Sequence, residues 1–304
     1  MKYTKKNNIH IIEVPVSDFK IIMNDSKKKT ALSKNYCNAG FFANYDEKNQ
    51  PFTLPVSHLV CDYAATSSFT KKYCTERGSF NGNKFTFDSS KWSYDNPCYN
   101  KRISTLLVND NKAEIKEVLS VPSGYNYAVS GIPIMRDGMD INFENDVQPQ
   151  GWSSSPLYGT WHIFVGLKKH SDLIYIIGMQ TISWNMVKTS EAYKKFKELG
   201  MYNVIKLDGG GSFYMNVDGK VIANTSENRR INTIICFEET NNSVSDNQEK
   251  VVDNTTNMNN KISYNNVITN NVITKKKTPL NSIINNIIRS NRLSFNIVNP
   301  FRKK

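Results

Sequence analysis

The apolar positions of this chain recur mostly at every second residue, which is the period of a half-buried β-strand. Apolar runs of this kind, several bounded by Gly, Asn or Asp turns, cover residues 9–16, 19–23, 54–63, 85–87, 103–108, 128–138, 161–166, 173–178, 204–207, 213–217, 220–223 and 233–237. One segment instead has helical spacing, because Ala192, Phe196 and Leu199 recur at i, i+4 and i+7 before Gly200. The pattern predicts an α+β protein: a strand-rich single domain with a large, twisted, mostly antiparallel sheet and few helices.

The most informative stretch is Asn203-Val-Ile-Lys-Leu-Asp-Gly-Gly-Gly-Ser-Phe-Tyr-Met215. Its β-branched and apolar residues predict a buried strand that delivers a carboxylate, Asp208, onto Gly209, Gly210, Gly211 and Ser212. Three consecutive glycines let the backbone turn sharply and bring its N–H groups against a ligand. A plain hairpin turn is the alternative, but one glycine usually suffices for that.

Two familiar glycine-rich loops are excluded by the residues that follow. A P-loop needs Lys followed by Ser or Thr after its last glycine, whereas Ser212 is followed by Phe213. A dinucleotide-binding loop opens a helix, whereas residues 213–217, the Asp218-Gly219 turn and residues 220–223 predict a hairpin. The loop is therefore expected between a strand and a hairpin.

The composition supports a protein with a real core and a different C-terminal segment. Residues 240–304 contain ten Lys or Arg and three Asp or Glu, so they carry a net +7 of the total +12. They also contain 17 Asn and no Gly, which predicts a largely disordered, basic tail after a domain at 1–239. Within the tail, residues 280–298 have helical apolar spacing and predict an amphipathic docking segment for a protein partner.

Other features of the sequence bear on the location of the protein and on its partners and cofactors. No run of 18 apolar residues occurs, so no membrane span is expected. The first residues lack the pattern of a signal peptide, and the five cysteines are odd in number and irregularly spaced. These features favour a cytoplasmic location. With the net charge concentrated in the tail, no nucleic-acid partner is expected, and no ligand-spaced cluster or motif predicts a metal or cofactor.

Four further places carry candidate binding residues, each with a plainer alternative. Asn38 and Gly40 lie in Asn38-Ala-Gly-Phe-Phe42, which can equally be aromatic core packing. Arg136 in an Arg-Asp-Gly turn suits a phosphate, although a solvated surface arginine is commoner. His162 follows Trp161 on a strand and is the histidine with the most site-like neighbours, although a lone histidine is usually structural. Two adjacent arginines, Arg229 and Arg230, enter a buried strand, and arginine binds phosphate oxygens with a planar fork.

Taken together, these pieces resemble the phosphodiester glycosidase family. The matching segments are Asn38-Ala-Gly-Phe-Phe42, Ser130-Gly-Ile-Pro133 with Arg136-Asp-Gly138, the hairpin around His162, Leu207-Asp-Gly-Gly-Gly-Ser212, and Arg229-Arg-Ile-Asn232. They occur in the order found in the family and span roughly residues 9–239. The chain departs from the family at Trp161-His162, at Phe213, where a second serine is usual, and at Arg230, where a proline is common.

The resemblance implies a hydrolase that cleaves a sugar-1-phosphodiester and releases the sugar. It implies that Asp208 supplies a carboxylate, that His162 is the second catalytic residue, and that His162 and Asn38 orient the sugar or the phosphate. The N–H groups of residues 209–212, Arg136, and either Arg229 or Arg230 are then expected to hold the phosphate. Two other classes stay open: a non-catalytic carbohydrate- or phosphate-binding module of the same fold, and an assembly protein that docks through its tail.

Overall fold

The computed structural model describes residues 1–27, 33–93, 96–152, 161–180 and 189–237. The predictions of a disordered tail and of a docking segment at 280–298 lie outside the described residues, and the domain boundary at 239 stays a prediction. Among the described residues, no helix is both long and apolar enough to cross a bilayer.

Strands dominate the described part of the chain, as the alternating pattern predicts. The strands are β1 Lys2–Lys6, β2 Ile9–Pro15, β3 Phe19–Lys27, β4 Tyr36–Asn38, β5 Phe42–Glu47, β6 Gln50–Pro55, β7 Leu59–Tyr63, β8 Ser79–Asn81, β9 Lys84–Phe87, β10 Ile103–Val108, β11 Ala113–Val118, β12 Tyr127–Ser130, β13 Ile132–Arg136, β14 Met139–Asp140, β15 Trp161–Leu167, β16 Leu173–Gln180, β17 Asn203–Gly209, β18 Tyr214–Val217, β19 Lys220–Asn224 and β20 Arg230–Phe237. The helices are α1 Ser68–Arg77 and α2 Thr189–Glu198, with short helical turns at Val16–Asp18, Ser89–Lys91, Phe143–Val147, Gln148–Gln150 and Gly210–Ser212.

These strands form two large sheets rather than the one large sheet predicted. The first has seven strands in the order β1-β2-β16-β15-β17-β13-β14. The second has eleven, with the path β11-β10-β12-β7-β3-β20-β4-β18-β19 and with β8 and β9 attached to β7. A separate pair joins β5 to β6. The pairing is antiparallel apart from β3 with β7, so the mostly antiparallel character is confirmed.

The two sheets share one hydrophobic core. Ile163, Ile205 and Leu207 of the seven-stranded sheet pack in the same cluster as Leu106 and Ile235 of the eleven-stranded sheet. The other face of the seven-stranded sheet packs in a second cluster, which includes Phe41, Trp152, Phe164 and Phe196 of α2. Because neighbouring strand residues point to opposite faces, the strands β2, β15, β16 and β17 of this sheet each contribute to both clusters.

Two local predictions differ from the structure. The sequence predicts residues 9–23 as a pair of strands joined by a turn at Ser17-Asp18. These residues do form the strands β2 and β3, but the two lie in different sheets, because the helical turn at Val16–Asp18 carries the chain from one to the other. The helix α1 was not predicted, because its apolar residues form no stripe and only Thr70 and Cys74 are buried. It begins at Ser67, whose side chain accepts a hydrogen bond from the Thr70 N–H at 3.3 Å.

The strand β17 lies between β15 and β13, well inside its sheet. Its residues Ile205 and Leu207 face the core between the sheets. Val204 instead belongs to the second cluster, on the other face of the sheet. Because side chains alternate between the two faces along a strand, Lys206 and Asp208 lie on the same face as Val204. The centre of the sheet thus holds the base of the predicted loop, and α2 precedes it as the sequence predicts.

Candidate active site

Asp208 lies at the end of β17, where its backbone is held on both sides. Its N–H donates to the carbonyl oxygen of Ala39 at 3.0 Å. Its own carbonyl oxygen accepts from Nδ2 of Asn38 at 2.8 Å. The backbone is therefore fixed at this point, and the half-buried side chain lies at the start of the glycine loop.

The glycine loop turns immediately after this carboxylate. Gly210 has φ of +54°, a conformation that L side chains rarely adopt. Residues Gly210–Ser212 form one 3₁₀ turn. The Phe213 N–H closes it by donating a hydrogen bond to the carbonyl oxygen of Gly210 at 3.1 Å. The chain then enters β18, and the hairpin β18–β19 follows with antiparallel pairing, as predicted.

Gly209 is needed because β15 passes very close to it. A Cβ added at this position lies 2.6 Å from the carbonyl oxygen of Trp161, which is backbone and cannot move aside. At Gly211, by contrast, the added Cβ meets the carboxylate of Glu227, the far end of a flexible side chain.

We expect Gly209→Ala to lower the free energy of unfolding by about 2–3 kcal/mol, since overpacking against fixed backbone shifts the strands. Gly211→Ala, made as the matched control, is expected to cost less, because Glu227 can turn away. Urea denaturation of both variants checks this. Equal losses at the two positions would contradict the assigned close approach at Gly209.

The amide of Asn38 is used to hold this loop. Besides its bond to the Asp208 carbonyl oxygen, its Oδ1 accepts the Tyr214 N–H at 3.0 Å. The side chain is only 1% exposed. Asn38 therefore joins the end of β17 to the start of β18, and its place in the structure is that of a positioning residue rather than of a group that faces a sugar.

We expect Asn38→Ala to lower the free energy of unfolding by about 2–4 kcal/mol, because two buried backbone groups lose a partner. The exposed Asn44 on β5 provides the control, and Asn44→Ala is expected to change stability by under about 0.5 kcal/mol. Chemical denaturation of the two variants is the measurement. A loss at Asn38 as small as that at Asn44 would contradict the bridging role.

Lys206 is the residue of this site that the sequence analysis missed. It is 2% exposed, its Nζ donates to the carbonyl oxygen of Leu207 at 2.9 Å, and it lies 5.1 Å from the centre of the Phe41 ring. Burial lowers the pKa of Lys206 from 10.5 to about 8, and the neighbouring Asp208 carboxylate partly opposes this. The signal was present in the sequence, since Lys206 and Asp208 are two residues apart on one strand.

The pKa of Asp208 is raised above its ordinary value of 3.8, chiefly because burial penalises the charged form. The hydroxyl of Ser212, the ammonium of Lys206, the Gly209 N–H and the guanidinium of Arg229 act in the opposite direction. Ser212 is buried and lies near enough to lower the pKa of Asp208, although its hydroxyl makes no hydrogen bond of ordinary geometry. A carboxylate held in this way is poorly solvated and attracts positive charge strongly.

His162 lies beside the loop on the neighbouring strand. It is 1% exposed, and its backbone is paired with Gly209 across β15 and β17. Its ring is 5.9 Å from the ring of Phe164, which belongs to the second cluster. The structure thus brings His162 close to Asp208 along the backbone, in a buried aromatic setting.

Arg136 is not brought to this site. It ends β13, next to the opposite end of β17, where Met135 pairs with Val204. Asp208 is four residue steps along the strand from Val204, which is about 13 Å. Arg136 is instead held by Glu117 and, at 3.4 Å, by Asp146. The structure therefore does not bring Arg136 to Asp208, because Glu117 and Asp146 engage it elsewhere, and a phosphate-binding role for Arg136 stays a prediction.

The two adjacent arginines are separated by the structure. Arg230 bonds to Oδ1 of Asp25 at 3.2 Å and to the Asp25 carbonyl oxygen. Asp25 is buried and also accepts from Thr53 and Thr70, so Arg230 belongs to a structural network. Arg229 is exposed, bonds to Glu227, and lowers the pKa of Asp208. Of the alternatives left open, Arg229 is the arginine at the site.

Gly40 contacts the protein's own core. Its N–H donates to Oγ1 of Thr233 at 3.1 Å, and an added Cβ lies 3.2 Å from Val129. Its close approach thus serves β12 and β20 rather than a ligand. Among the described residues, no group of three or more His, Cys, Asp or Glu is gathered where it could bind a metal ion.

The sequence matches no known protein-family profile and no curated protein. The solved structures that are similar to this chain include three with a TM-score of 0.43. One is the zebrafish N-acetylglucosamine-1-phosphodiester alpha-N-acetylglucosaminidase catalytic domain auto-inhibited by its pro-peptide, with 14% identity over 78% of this chain and 81% of that chain. The second is a hypothetical protein from Synechocystis, with 10% identity over 77% of this chain and 60% of that chain. The third, from Burkholderia pseudomallei K96243, is described as exported and has 11% identity over 75% of this chain and 73% of that chain.

These likenesses concern the fold and do not identify an activity. One expectation is nevertheless corrected by them: the cytoplasmic location is contradicted by the exported neighbour. The cysteines did not decide the compartment. All five belong to the described residues, are buried and form no disulfide, and packing alone keeps buried thiols inert in either redox setting.

Proposed function

We propose that the protein is a hydrolase that cleaves a sugar-1-phosphodiester and releases the sugar, with Asp208 as its catalytic carboxylate. The proposal rests on the residues of the loop and on their resemblance to the phosphodiester glycosidases. A single observation carries it: a carboxylate with a raised pKa ends a central strand directly at a glycine turn, with Lys206 and Arg229 acting on it.

The chemistry suits these groups. In the reaction, the bond between sugar C1 and the phosphate oxygen breaks, and its electron pair leaves with the phosphate. Water supplies the hydroxyl on C1, and its second proton passes to a base or to solvent. Positive charge develops on the sugar in the transition state, and a poorly solvated carboxylate stabilises that charge strongly.

The phosphate needs cations or N–H donors as it departs. Arg229 is exposed beside Asp208 and can reach a ligand. The N–H groups of the glycine turn are further donors in this proposal. Lys206 is buried, so we assign it a positioning role: its ammonium lowers the pKa of Asp208 and favours the ionised carboxylate.

A phosphate- or carbohydrate-binding module is the second candidate, and one observation favours it. Arg136 was expected at the phosphate, as was either Arg229 or Arg230; both Arg136 and Arg230 are engaged by the protein's own carboxylates. Cleavage needs cations that stabilise the charge of the departing phosphate. A site with fewer cations free for this purpose is therefore better suited to binding than to cleavage.

The test is a panel of sugar-1-phosphodiesters, followed for sugar release and for a thermal shift of the full chain. Sugar release from at least one substrate is the expected result. A thermal shift with no release from any substrate would reject the hydrolase in favour of the binding module. Neither release nor shift would reject both.

A further inference from the structure

The carboxylate of Glu227 lies directly on the glycine turn. An added Cβ at Gly211 would meet both carboxylate oxygens of Glu227, with Oε1 at 2.7 Å. The side chain of Glu227 is 55% exposed, so burial does not force it into this position. An anionic group of the protein itself thus occupies the surface of Gly211.

The contacts around Glu227 tie its segment to the loop. Arg229 donates to Oε2 of Glu227 from Nη2 at 2.8 Å and from Nε at 3.0 Å. The hydroxyl of Thr225 donates to the Gly211 carbonyl oxygen at 3.1 Å. The Thr225 N–H donates to the Phe213 carbonyl oxygen at 3.4 Å. The strand-connecting segment 225–229 therefore carries both an anion and a cation onto the same turn.

Arg229 is shared between two carboxylates. It forms the close ion pair with Glu227, and its charge also reaches Asp208. A phosphate placed on the glycine turn beside Asp208 needs the surface of Gly211 and the guanidinium of Arg229. Both are already engaged by Glu227.

We propose that Glu227 is a specificity-determining residue: its carboxylate competes with the ligand phosphate for Gly211 and Arg229, and it disfavours a doubly charged phosphate more than a singly charged one. This inference rests on the proposed function, because that function defines the two phosphates. The substrate is a phosphodiester with one negative charge. The product is a phosphomonoester, which carries about −1.5 to −2 at pH 7.

The consequence is selective release of product. Repulsion between like charges grows with the ligand's charge, so the carboxylate weakens product binding more than substrate binding. When the product leaves, Glu227 returns to Arg229 and Gly211. The residue acts by charge and position and takes no part in bond making or breaking.

The test uses two matched probes, phenyl phosphate and its methyl diester, methyl phenyl phosphate, with titration calorimetry at pH 7 on the full chain. Glu227→Gln keeps the size of the side chain and removes its charge. We expect this variant to bind phenyl phosphate about tenfold more tightly and methyl phenyl phosphate about threefold more tightly. Glu76→Gln, which removes an exposed charge from α1, is the matched control and is expected to leave both affinities unchanged.

Unchanged or weaker binding of phenyl phosphate by Glu227→Gln would overturn the proposal, as would equal gains for the two probes. Absence of binding by wild type and variant alike would overturn it too, since no anion site would then exist at the turn.

These outcomes are separate from the fate of the proposed hydrolase. The expected shift in affinity with no sugar release from any substrate supports the role of Glu227 and rejects the hydrolase. Sugar release with no effect of Glu227→Gln on either probe supports the hydrolase and rejects this role.

Discussion

Asp208→Asn is expected to lower kcat/KM for a sugar-1-phosphodiester by about 10²–10³, which corresponds to about 2.7–4 kcal/mol of lost transition-state stabilisation. Asparagine keeps the size and the hydrogen-bonding oxygen of the side chain, so the loop retains its shape. It lacks the negative charge that stabilises the developing positive charge of the sugar. Initial rates of sugar release from wild type and variant measure the effect.

The same substitution is expected to stabilise the fold at neutral pH. Because the pKa of Asp208 is raised in the folded state, its contribution to stability is present at low pH and is lost as the pH rises through the folded pKa. Asparagine avoids that loss, so the melting temperature of the variant should exceed that of wild type at pH 7 and equal it below about pH 3.8. Asp218→Asn, in the exposed turn after β18, is the control for both measurements. Undiminished turnover in Asp208→Asn would reject the catalytic assignment.

Lys206→Met is expected to raise the free energy of unfolding at pH 7 by up to about 3 kcal/mol. The pKa of this buried lysine falls from 10.5 to about 8 on folding, and each unit corresponds to about 1.36 kcal/mol. Methionine has a similar length and no charge to desolvate. Urea denaturation at pH 7 measures the gain, and Lys220→Met, at an exposed position of β19, is the control.

The sign of the pH dependence makes this prediction specific. A lysine whose pKa is depressed by folding contributes stability that is present above the unfolded pKa of 10.5 and is lost as the pH falls through about 8. The advantage of Lys206→Met should therefore be full below pH 8 and vanish near 10.5. A variant that is less stable than wild type at pH 7 would show that the hydrogen bond of the ammonium to Leu207 and its attraction to Asp208 outweigh the cost of burying the charge.

Activity gives a second and independent measurement on the same variant. Since the ammonium of Lys206 lowers the pKa of Asp208, its removal should move the acid limb of the kcat/KM profile to higher pH. His162 also lies beside the loop, so the profile is to be compared with that of His162→Gln. An acid limb that stays in place in Lys206→Met would contradict the positioning role.

The sequence predicted much of this fold because strand alternation and turn residues are local signals. The strand β17, the turn at Asp208 and the hairpins β15–β16 and β18–β19 all lie where the pattern places them. The division into two sheets was not predictable in this way. Alternation shows which face of a strand is buried, but it does not show which strand is the neighbour.

In the candidate site, too, residues that are close in the sequence could be predicted, and contacts between distant residues could not. Asp208 and its glycines could be found because they are consecutive. The engagement of Arg230 by Asp25, and of Arg136 by Glu117, joins residues that are 205 and 19 positions apart, and a single sequence does not specify such pairs. Lys206 was missed although its spacing from Asp208 was visible, because a lysine in a strand is usually assumed to face solvent.

The most direct measurement of the central claim is to follow hydrolysis of a sugar-1-phosphodiester in ¹⁸O-labelled water and to locate the label by mass spectrometry. A glycosidase breaks the bond to sugar C1, so we predict that the label appears in the released sugar and that the phosphate carries none. Label in the phosphate, with none in the sugar, would mean cleavage of a phosphorus–oxygen bond, and the protein would then be a phosphodiesterase rather than a glycosidase.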